Sequence, residues 1–296
     1  MRARDIATYI FLALSWGLSF LLLLRVVEAF GWIGAVTFRA LIAGTLLFVV
    51  ARASGRKLAF DTGVLPLAVV GATTVGGQLI GLSYATPRIG TAMAAIFVAT
   101  IPLFSMIIAQ VWGLERITPA RIIGLVLGTI GIVMLVGFPA VPVTGTFVLG
   151  CVAMILSTFS AAFGSNYASR HLKGTGPWEV TIGAFLAGGV LSFPLLFFVP
   201  VPGIPDPMDY VYLVSLAAVM SSLTYLLYFK LVKSIGATPA ISVEFAVTVV
   251  AVLVGALVLD EALTAMQLVG GAVIIAGCAL VLGLFPLRSA RRLPTP

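Results

Sequence analysis

The distribution of charged residues limits the possible folds of this chain more than any other feature. The 296 residues include 17 Lys and Arg and 10 Asp and Glu, which is 9% charged, whereas 61% are hydrophobic. Soluble domains are typically about 25% charged, so these charges are too few to cover the surface of a soluble protein of this length. The composition therefore indicates a protein whose surface faces the hydrocarbon of a membrane.

The charges are separated by long uncharged stretches, and a membrane-crossing helix needs roughly 20 apolar residues. Seven stretches contain no charge, and one of these has 48 residues that Pro139, Pro142 and Gly145 divide into two. Two more contain a single ionisable residue each, Arg39 and Glu244. The sequence thus predicts an all-α integral membrane protein with ten transmembrane helices. We number them spans 1 to 10: 6–24, 29–51, 62–87, 89–114, the two parts of 122–169, 180–205, 210–229, 234–259 and 262–287.

The basic residues predict the orientation, because Lys and Arg collect in cytoplasmic loops. With the N-terminus inside, 14 of the 17 basic residues lie on the cytoplasmic side. The other three, Arg25, Arg39 and Arg88, lie outside or within the membrane. Both termini are therefore predicted to be cytoplasmic, and the positive net charge requires no nucleic-acid partner. The first apolar run is longer than a signal-peptide core and lacks a cleavage pattern, so we expect it to be retained as span 1.

The sequence repeats itself at a distance of 146 residues, between 89–137 and 235–283. The identical pairs are Ile89/Ile235, Gly90/Gly236, Ala94/Ala240, Glu115/Glu261, Thr118/Thr264, Gly124/Gly270, Gly131/Gly277 and Gly137/Gly283. TFRALIAG (37–44) and TIGAFLAG (181–188) extend the repeat to the second span of each half. Glu-x-x-Thr at the start of a helix suits the free amides and positive dipole end found there.

The repeat predicts two five-helix halves, 1–139 and 146–288, followed by a short cytoplasmic tail, 289–296. Because five is odd, the halves must cross the membrane in opposite senses. Inverted repeats of this kind are typical of secondary transporters, which bind substrate near the midplane between the halves. A duplication retained only for packing is the alternative interpretation.

Several motifs resemble those of the drug/metabolite transporter superfamily, in its ten-helix branch of bacterial metabolite exporters. They are SWGLSF (15–20), Arg39 within TFRALIAG, IPLFSMIIAQVWGLERIT (101–118), GLVLGTIGIVML (124–135) and LVLDEALTAMQLVGGAVIIAGCALVL (257–282). The resemblance covers nearly the whole chain and implies that spans 1, 3, 4, 6, 8 and 9 surround a central cavity. Many relatives carry Glu-Pro in the ninth helix, where this chain has Val247 and Thr248. Glu244 lies three residues earlier, so a role carried over to it is an inference from position.

Glu244 is the only acid deep within a predicted span, and a charge near the bilayer centre costs at least about 2.5 kcal/mol. It is a candidate contact for a substrate amine or cation, or a proton carrier; a neutral Glu bonded to a neighbouring helix is equally compatible with the sequence. The candidate cavity residues share an aromatic, hydroxyl, amide or carboxyl side chain near mid-span: Trp16, Ser19, Gln78, Phe97, Thr100, Ser160, Asn166, Thr224, Tyr225 and Glu244. The candidates for structural or gating roles are Arg39, Pro102, Gly77 and Gly81. For Arg39 we favour a structural role, with Pro102 kinking span 4 and the two glycines allowing close helix contact.

These features predict an inner-membrane secondary transporter that exports small metabolites by alternating access around a central cavity, in a multi-pass bacterial protein. Amino acids, including aromatic ones, are the expected substrates, because the candidate residues suit a zwitterion with an apolar side chain. A multidrug, cation or nucleobase exporter of the same fold is the alternative. We expect no cofactor, no metal, no nucleic acid and no obligate protein partner besides the substrate and the lipid bilayer.

An enzyme embedded in the membrane is the alternative from another class. It would need a catalytic or metal-binding set, and the chain offers one His, His171, in a basic loop, and two Cys, Cys151 and Cys278. No ATP-binding G-x-x-x-x-G-K-[ST] run occurs. We therefore expect no enzymatic activity.

Overall fold

The computed structural model describes residues 2–90, 94, 97–98, 100–115, 118–136, 144–258 and 265–282. All regular secondary structure in these residues is helical. The α-helices are α1 Ala3–Ala53, α2 Val64–Val70, α3 Gln78–Ile89, α4 Ile101–Val111, α5 Pro119–Val136, α6 Gly145–His171, α7 Pro177–Ser192, α8 Pro207–Ala217, α9 Thr224–Ile235, α10 Ala237–Ile241, α11 Val243–Val258 and α12 Ala265–Val281. Two π-helical segments, Gly71–Gly77 and Ala218–Leu223, join α2 to α3 and α8 to α9, and a 3-10 segment, Phe193–Phe197, follows α7.

The helices have the length and surface of membrane-spanning elements. Five of them, within the residues described, are long and apolar enough to cross a bilayer, and four shorter apolar helices accompany them. Large apolar side chains are exposed over much of the surface, for example Val111 at 77% and Phe197 at 82%. A soluble protein seldom exposes apolar surface on this scale. The prediction of an all-helical membrane protein is therefore confirmed, whereas ten crossings and the position of the termini remain predictions.

The junction between spans 1 and 2 differs from the sequence prediction. We expected a connection near residues 25–28, but α1 runs from Ala3 to Ala53 with one break at Gly31. Gly31 has a φ of 70°, a conformation that glycine adopts without steric cost. The charged Arg25 and Glu28 are thus helical and exposed, and they form an ion pair at 3.9 Å. A single glycine turns the chain here, which hydropathy alone cannot reveal.

Spans 3 and 8 contain irregularities at matching positions of the two sequence repeats. The π-helical segment Gly71–Gly77 in span 3 has its counterpart Ala218–Leu223 in span 8, 146 to 147 residues later. Each helix then ends at a glycine with positive φ, Gly90 at 82° and Gly236 at 94°. π-segments are rare and frequently occur at functional sites. Their recurrence shows that the two copies share backbone details as well as sequence.

Pro102 has a different setting from the one predicted. We expected it to kink span 4 at mid-helix, but a turn at Thr100 precedes it and α4 begins at Ile101. Pro102 therefore lies in the first turn of a helix, where its missing N–H costs no hydrogen bond. The irregularity in span 4 lies before Pro102, at Thr100.

Glycines bring helices into close contact at several crossings, two of which involve glycines singled out in the sequence. A Cβ on Gly77 would lie 2.8 Å from Ser160 Oγ, and a Cβ on Gly81 would lie 2.7 Å from Ser157 Cβ. Span 3 therefore packs tightly against span 6. Spans 5 and 10 meet in the same way. There, a Cβ on Gly124 would lie 2.7 Å from the carbonyl of Gly277, and one on Gly277 would lie 2.6 Å from the carbonyl of Gly124. Small residues at such crossings let helix backbones approach closely in a membrane.

Candidate functional site

An aromatic cluster lies where spans 1, 7 and 8 meet, and we define it as Trp16, Phe185, Tyr225, Tyr228 and Phe229. The ring centroid of Trp16 is 5.4 Å from that of Tyr225 and 5.6 Å from that of Tyr228. Phe185 meets Tyr225 edge to face at 5.0 Å, and Tyr228 lies 5.4 Å from Phe229. Trp16 is the partly exposed member, and the other four are buried. The rings are tilted or perpendicular to one another, and the indole of Trp16 is the part of this apolar cluster that stays accessible.

A hydrogen bond between the two sequence halves fixes Trp16. Its Nε1 donates to Thr224 Oγ1 at 3.0 Å, and Thr224 donates to the carbonyl of Met220 at 2.7 Å within the π-helical segment of span 8. The next residue, Gly17, packs against span 9, since a Cβ there would lie 2.6 Å from Val250. Trp16, Thr224 and Tyr225 were all predicted as site residues, and the structure brings these three together.

Arg39 reaches the same π-helical segment from span 2. Its side chain is 5% exposed, its Nε donates to Ser221 Oγ at 2.5 Å, and Nη2 donates to the carbonyl of Met220 at 3.4 Å. A π-segment leaves carbonyls without their usual helical donors, and Arg39 satisfies one of them. The guanidinium stays inside the protein and does not extend to the membrane surface. This contact agrees with the structural role that we favoured for Arg39.

Glu244 is 8% exposed and lies in the first turn of α11. It is seven residues from the start of α10, or about 10 Å at 1.5 Å per residue, so it is closer to one end of span 9 than the sequence suggested. Span 9 packs along span 1 on either side of Glu244, since Ser242 Oγ bonds the Tyr9 hydroxyl at 3.1 Å and a Cβ on Gly17, the residue after Trp16, would lie 2.6 Å from Val250. Among the residues that the structure describes, no Lys or Arg forms an ion pair with it. Glu244 thus adds a buried carboxyl group without a basic partner there.

The other predicted cavity residues are dispersed. Asn166 is fully buried and donates from Nδ2 to Ser105 Oγ at 2.9 Å and to the carbonyl of Ala162 at 2.9 Å, so it joins helices and does not line a cavity. Ser160 faces Gly77 across the contact of spans 3 and 6. Thr100 donates to the carbonyl of Phe97 at 2.7 Å and to Thr158 Oγ1 at 3.4 Å.

Two further candidates are held by short-range or neighbouring contacts. Ser19 Oγ donates to the carbonyl of Trp16 at 2.7 Å, and the carbonyl of Gln78 accepts from Ser157 Oγ at 2.7 Å. Both side chains are half-buried, as are Phe97 and Thr100. Ser19 thus adjoins the cluster through the backbone of Trp16.

Hydrogen bonds close the protein at the end that carries Arg4, Arg56, Arg121, Lys173 and Lys233, which we call the basic end. Three of these bonds converge on residues 234–242, the corner between spans 8 and 9. Asp5 accepts from Ser234 Oγ at 3.1 Å, Tyr9 bonds Ser242 Oγ at 3.1 Å, and Ser105 bonds Thr238 Oγ1 at 3.1 Å. In each pair one residue belongs to the first half of the sequence and the other to the second. These bonds join the halves at the basic end.

Glu115 makes a further connection to this corner, with a carboxylate as the acceptor. Its Oε1 accepts from the backbone N–H of Thr238 at 3.2 Å, and its Oε2 accepts from Arg121 Nη1 at 2.9 Å. Gly236 is required beside it, because a Cβ there would lie 2.6 Å from Glu115 Oε1. We expected Glu-x-x-Thr to cap its own helix. Thr118 does cap its own helix, because its Oγ1 accepts from the N–H of Arg121 at 3.3 Å. Glu115 instead caps a helix of the other half, through the N–H of Thr238. The matching Glu261 and Thr264 lie outside the described residues.

Sequence reasoning missed Tyr9, Tyr228 and Phe185. Tyr9 lies seven residues before Trp16 and Tyr228 three residues after Tyr225, so helical spacing to a predicted residue could have identified both. Phe185 had no such signal, because it belongs to span 7, which we placed outside the cavity.

Two stretches of the chain, residues 5–137 and 148–283, match the EamA-like transporter family. The chain is a member of this family. It is therefore a membrane transporter of the drug/metabolite transporter superfamily, as the sequence motifs predicted. Protein PecM of Dickeya dadantii is 25% identical over 95% of this chain and 92% of its own length. The uncharacterized inner membrane transporter YedA of Escherichia coli strain K12 is 26% identical over 92% of this chain and 90% of its own length.

The fold of this EamA-like transporter also matches a solved structure. A crystal structure superposes with a TM-score of 0.79 over 96% of this chain and 98% of the other, at 18% identity. This likeness extends over both halves and shows the fold alone.

The described residues of the EamA-like transporter hold no group of three His, Cys, Asp or Glu side chains that could bind a metal ion. His171 is exposed and stacks on Tyr167, with ring centroids 4.2 Å apart. The family and the names of the relatives indicate transport and not enzymatic activity.

Proposed function

We propose that this EamA-like transporter is an inner-membrane exporter of amino acids, aromatic ones included, which works by alternating access. The observation that carries the proposal is the aromatic cluster together with the buried Glu244, which belongs to the span that packs against span 1 next to Trp16. An aromatic face binds an apolar side chain, and a carboxylate in a site of low dielectric attracts an ammonium group strongly. Together they suit a small organic amine such as an amino acid.

The crossing of spans 5 and 10 supports an inverted repeat of ten helices. Gly124 contacts Gly277, and Gly131 contacts Gly270, since a Cβ on Gly131 would lie 2.8 Å from the carbonyl of Gly270. In the sequence repeat Gly124 corresponds to Gly270 and Gly131 to Gly277. Exchanging the two halves therefore converts the Gly124–Gly277 contact into the Gly270–Gly131 contact. This reciprocal pairing is what a two-fold axis produces. The residue numbers run in opposite directions along the two helices, so this axis is perpendicular to them and lies in the membrane plane.

The contacts at the basic end support a cytoplasmic orientation of that end and a state closed towards the cytoplasm. Basic residues collect on the cytoplasmic side of membrane proteins, and every bond that we described at the corner of spans 8 and 9 joins the two halves. Opening this side requires Asp5, Tyr9, Ser105 and Glu115 to release the corner. Alternating access in an inverted repeat follows from rocking one half against the other.

Counterflow in liposomes tests the substrate class. Purified protein is reconstituted with a radiolabelled aromatic amino acid outside and a panel of unlabelled amino acids, nucleobases and cationic drugs inside. We expect accumulation driven by amino acids. Accumulation driven only by cationic drugs or nucleobases would support the alternative exporters, and no counterflow with any compound would contradict the proposal.

Glu244→Gln tests the role of the carboxyl group. A charged hydrogen bond contributes about 1.5–3 kcal/mol, so we expect the apparent affinity for amino acids to fall about 10- to 100-fold. The N-acetylated form of the same amino acid has no ammonium group and should compete equally poorly with both proteins. Unchanged transport kinetics and pH dependence in Glu244→Gln would contradict a substrate or proton role.

A further inference from the structure

A cavity of about 350 Å³ opens at the basic end between spans 6, 7 and 8. Two exposed lysines, Lys173 and Lys233, line it together with the hydroxyl residues Ser169 and Thr175. Deeper in the protein its walls are apolar, formed by residues such as Phe229 and Val232, which are 4% and 5% exposed. The cavity is therefore positively charged at its mouth and apolar at its base.

One acidic residue, Asp5, adjoins this mouth without lining the cavity, and it shares the neighbouring surface pocket with Lys233. No Asp or Glu lines the cavity, and the ion pairs within the described ranges are Arg25–Glu28 and Arg121–Glu115. Glu179 lies in the adjacent helix, but its Oε1 accepts from the N–H of Ala59 at 3.4 Å. The C-terminal residues 283–296 contain no Asp or Glu. Lys173 therefore has no acidic neighbour among the residues that line the cavity, and Asp5, next to Lys233, already accepts a hydrogen bond from Ser234.

Further basic residues increase the positive potential. Lys230 lies one helical turn before Lys233 on the same helix and adds a further positive charge at this end. Like charges that share a region repel one another unless an anion binds between them. A cavity with this charge distribution has the highest affinity for a compact anion with several oxygen acceptors.

We propose that this cavity binds a phosphate group, with Lys173 and Lys233 as the charged contacts and Ser169 as a hydrogen-bond donor. Lysine is a common phosphate ligand in proteins. Two sources of this group are available at a cytoplasmic membrane surface: the headgroup of an anionic phospholipid and a soluble phosphate compound. Basic pockets between helices on the cytoplasmic side bind anionic lipid headgroups, and the apolar base formed by Phe229 and Val232 suits the glycerol and acyl atoms next to such a headgroup.

Binding to the purified full-length protein in a neutral detergent tests the site and identifies the source. The probes are inorganic phosphate, glycerol 3-phosphate, short-chain phosphatidylglycerol and short-chain phosphatidylcholine, with sodium chloride at equal ionic strength as the reference. Affinity is measured by titration calorimetry, and the shift of the unfolding temperature is an independent readout. Binding of phosphatidylglycerol alone identifies a lipid headgroup, and equal binding of glycerol 3-phosphate identifies a soluble phosphate compound. Either result supports the site, whereas shifts no larger than those with sodium chloride would overturn it.

Charge variants locate the site. In Lys173→Gln/Lys233→Gln we expect affinity to fall about 30-fold, since each lysine near an anionic headgroup contributes about 1 kcal/mol, or about fivefold. Lys57→Gln removes the same charge from an exposed loop outside the cavity lining and should bind as the unmodified protein does. Lys173→Arg/Lys233→Arg keeps the charges and should keep most of the affinity. Equal affinity in Lys57→Gln and the double Gln variant would overturn the assignment. The assay measures binding without transport, so its outcome is independent of the proposed export function.

Discussion

Replacement of Glu115 by Gln should weaken the closure of the basic end. The Glu115 carboxylate accepts from Thr238 N–H at 3.2 Å and from Arg121 at 2.9 Å, and its side chain is only 14% exposed. Hydrogen bonds to a charged group contribute about 1.5–3 kcal/mol, and those between neutral groups about 0.5–1.5 kcal/mol. Gln keeps the shape and one acceptor oxygen, so the loss for the two contacts, allowing for partial exposure, is about 1–2 kcal/mol.

The substitution destabilises only the closed state. Glu115 and Thr238 belong to different halves, and in the proposed alternating access these halves separate when the basic end opens. A loss of about 1–2 kcal/mol shifts the ratio of open to closed protein about 5- to 30-fold. Ile241 lies within the same corner and is 4% exposed. An Ile241→Cys reporter, in a protein with Cys151→Ser and Cys278→Ala, reports opening through its reaction with a membrane-impermeant maleimide added to inside-out vesicles.

We expect the labelling rate to rise about 5- to 30-fold in Glu115→Gln. Asp206→Asn serves as the matched control, because it removes an acid from the start of another helix, where Asp206 takes part in a capping box with Asp209. That variant should label at the original rate. Equal rates in Glu115→Gln and the unmodified protein, with both folded by size-exclusion chromatography, would refute the reasoning.

Three further substitutions give distinct expected outcomes. Trp16→Phe keeps an aromatic ring but loses the 3.0 Å bond to Thr224, so the free energy of unfolding should fall by about 1 kcal/mol and aromatic substrates should still drive counterflow. Gly277→Ala places a methyl group 2.6 Å from the carbonyl of Gly124, so it should lower the free energy of unfolding by about 1–3 kcal/mol. The control is Gly145→Ala, because a Cβ there meets nothing within 4 Å; it should leave the unfolding temperature nearly unchanged. Arg39→Lys cannot reproduce the bonds to both Ser221 and Met220, so the free energy of unfolding should fall by about 1–3 kcal/mol while the substrate preference stays the same. A changed substrate preference at normal stability would indicate that Arg39 contacts the substrate.

The sequence predicted the helical membrane fold because hydrocarbon imposes strict requirements on the backbone. Uncharged stretches of about 20 residues can satisfy their backbone groups in a membrane only as helices or closed barrels, so the charges alone locate most spans. The break at Gly31 was not predictable in this way, since a one-residue turn leaves the hydropathy of spans 1 and 2 unchanged. The π-helical segments were not predictable from the sequence either, because a helix with one additional residue in a turn has the same composition as a regular α-helix.

The candidate site was predictable only in part. Trp16, Thr224 and Tyr225 were found because aromatic and hydroxyl side chains are conspicuous in apolar helices, and the structure brings them together. Asn166 was assigned to the cavity for the same reason, but it satisfies the backbone between spans 4 and 6. Side-chain type cannot distinguish these cases. Glu115 was recognised as a capping residue, yet its partner Thr238 lies 123 positions away and depends on how the halves pack.

The contacts separate a symmetric scaffold from an asymmetric site. The glycines of spans 5 and 10 occur as repeat-related pairs, and so do Gly90 and Gly236 after the two π-containing spans. Three residues in or near the site have no such counterparts: at the repeat distance, Glu244 corresponds to Val98 and Tyr225 to Leu79, while Arg39 corresponds to Gly183 at the offset of 144. The polar candidates Gln78 and Thr224 correspond to each other but differ in side chain.

This division has a physical reason. A scaffold that exchanges the roles of its halves during alternating access needs equivalent contacts in both, because otherwise one state would be far more stable than the other. A bound substrate, in contrast, has no two-fold symmetry, so the groups that recognise its charged and apolar parts must differ between the halves. Substitutions at the paired glycines should therefore destabilise the fold without altering selectivity, whereas those at Trp16, Tyr225 and Glu244 should alter which solute is carried.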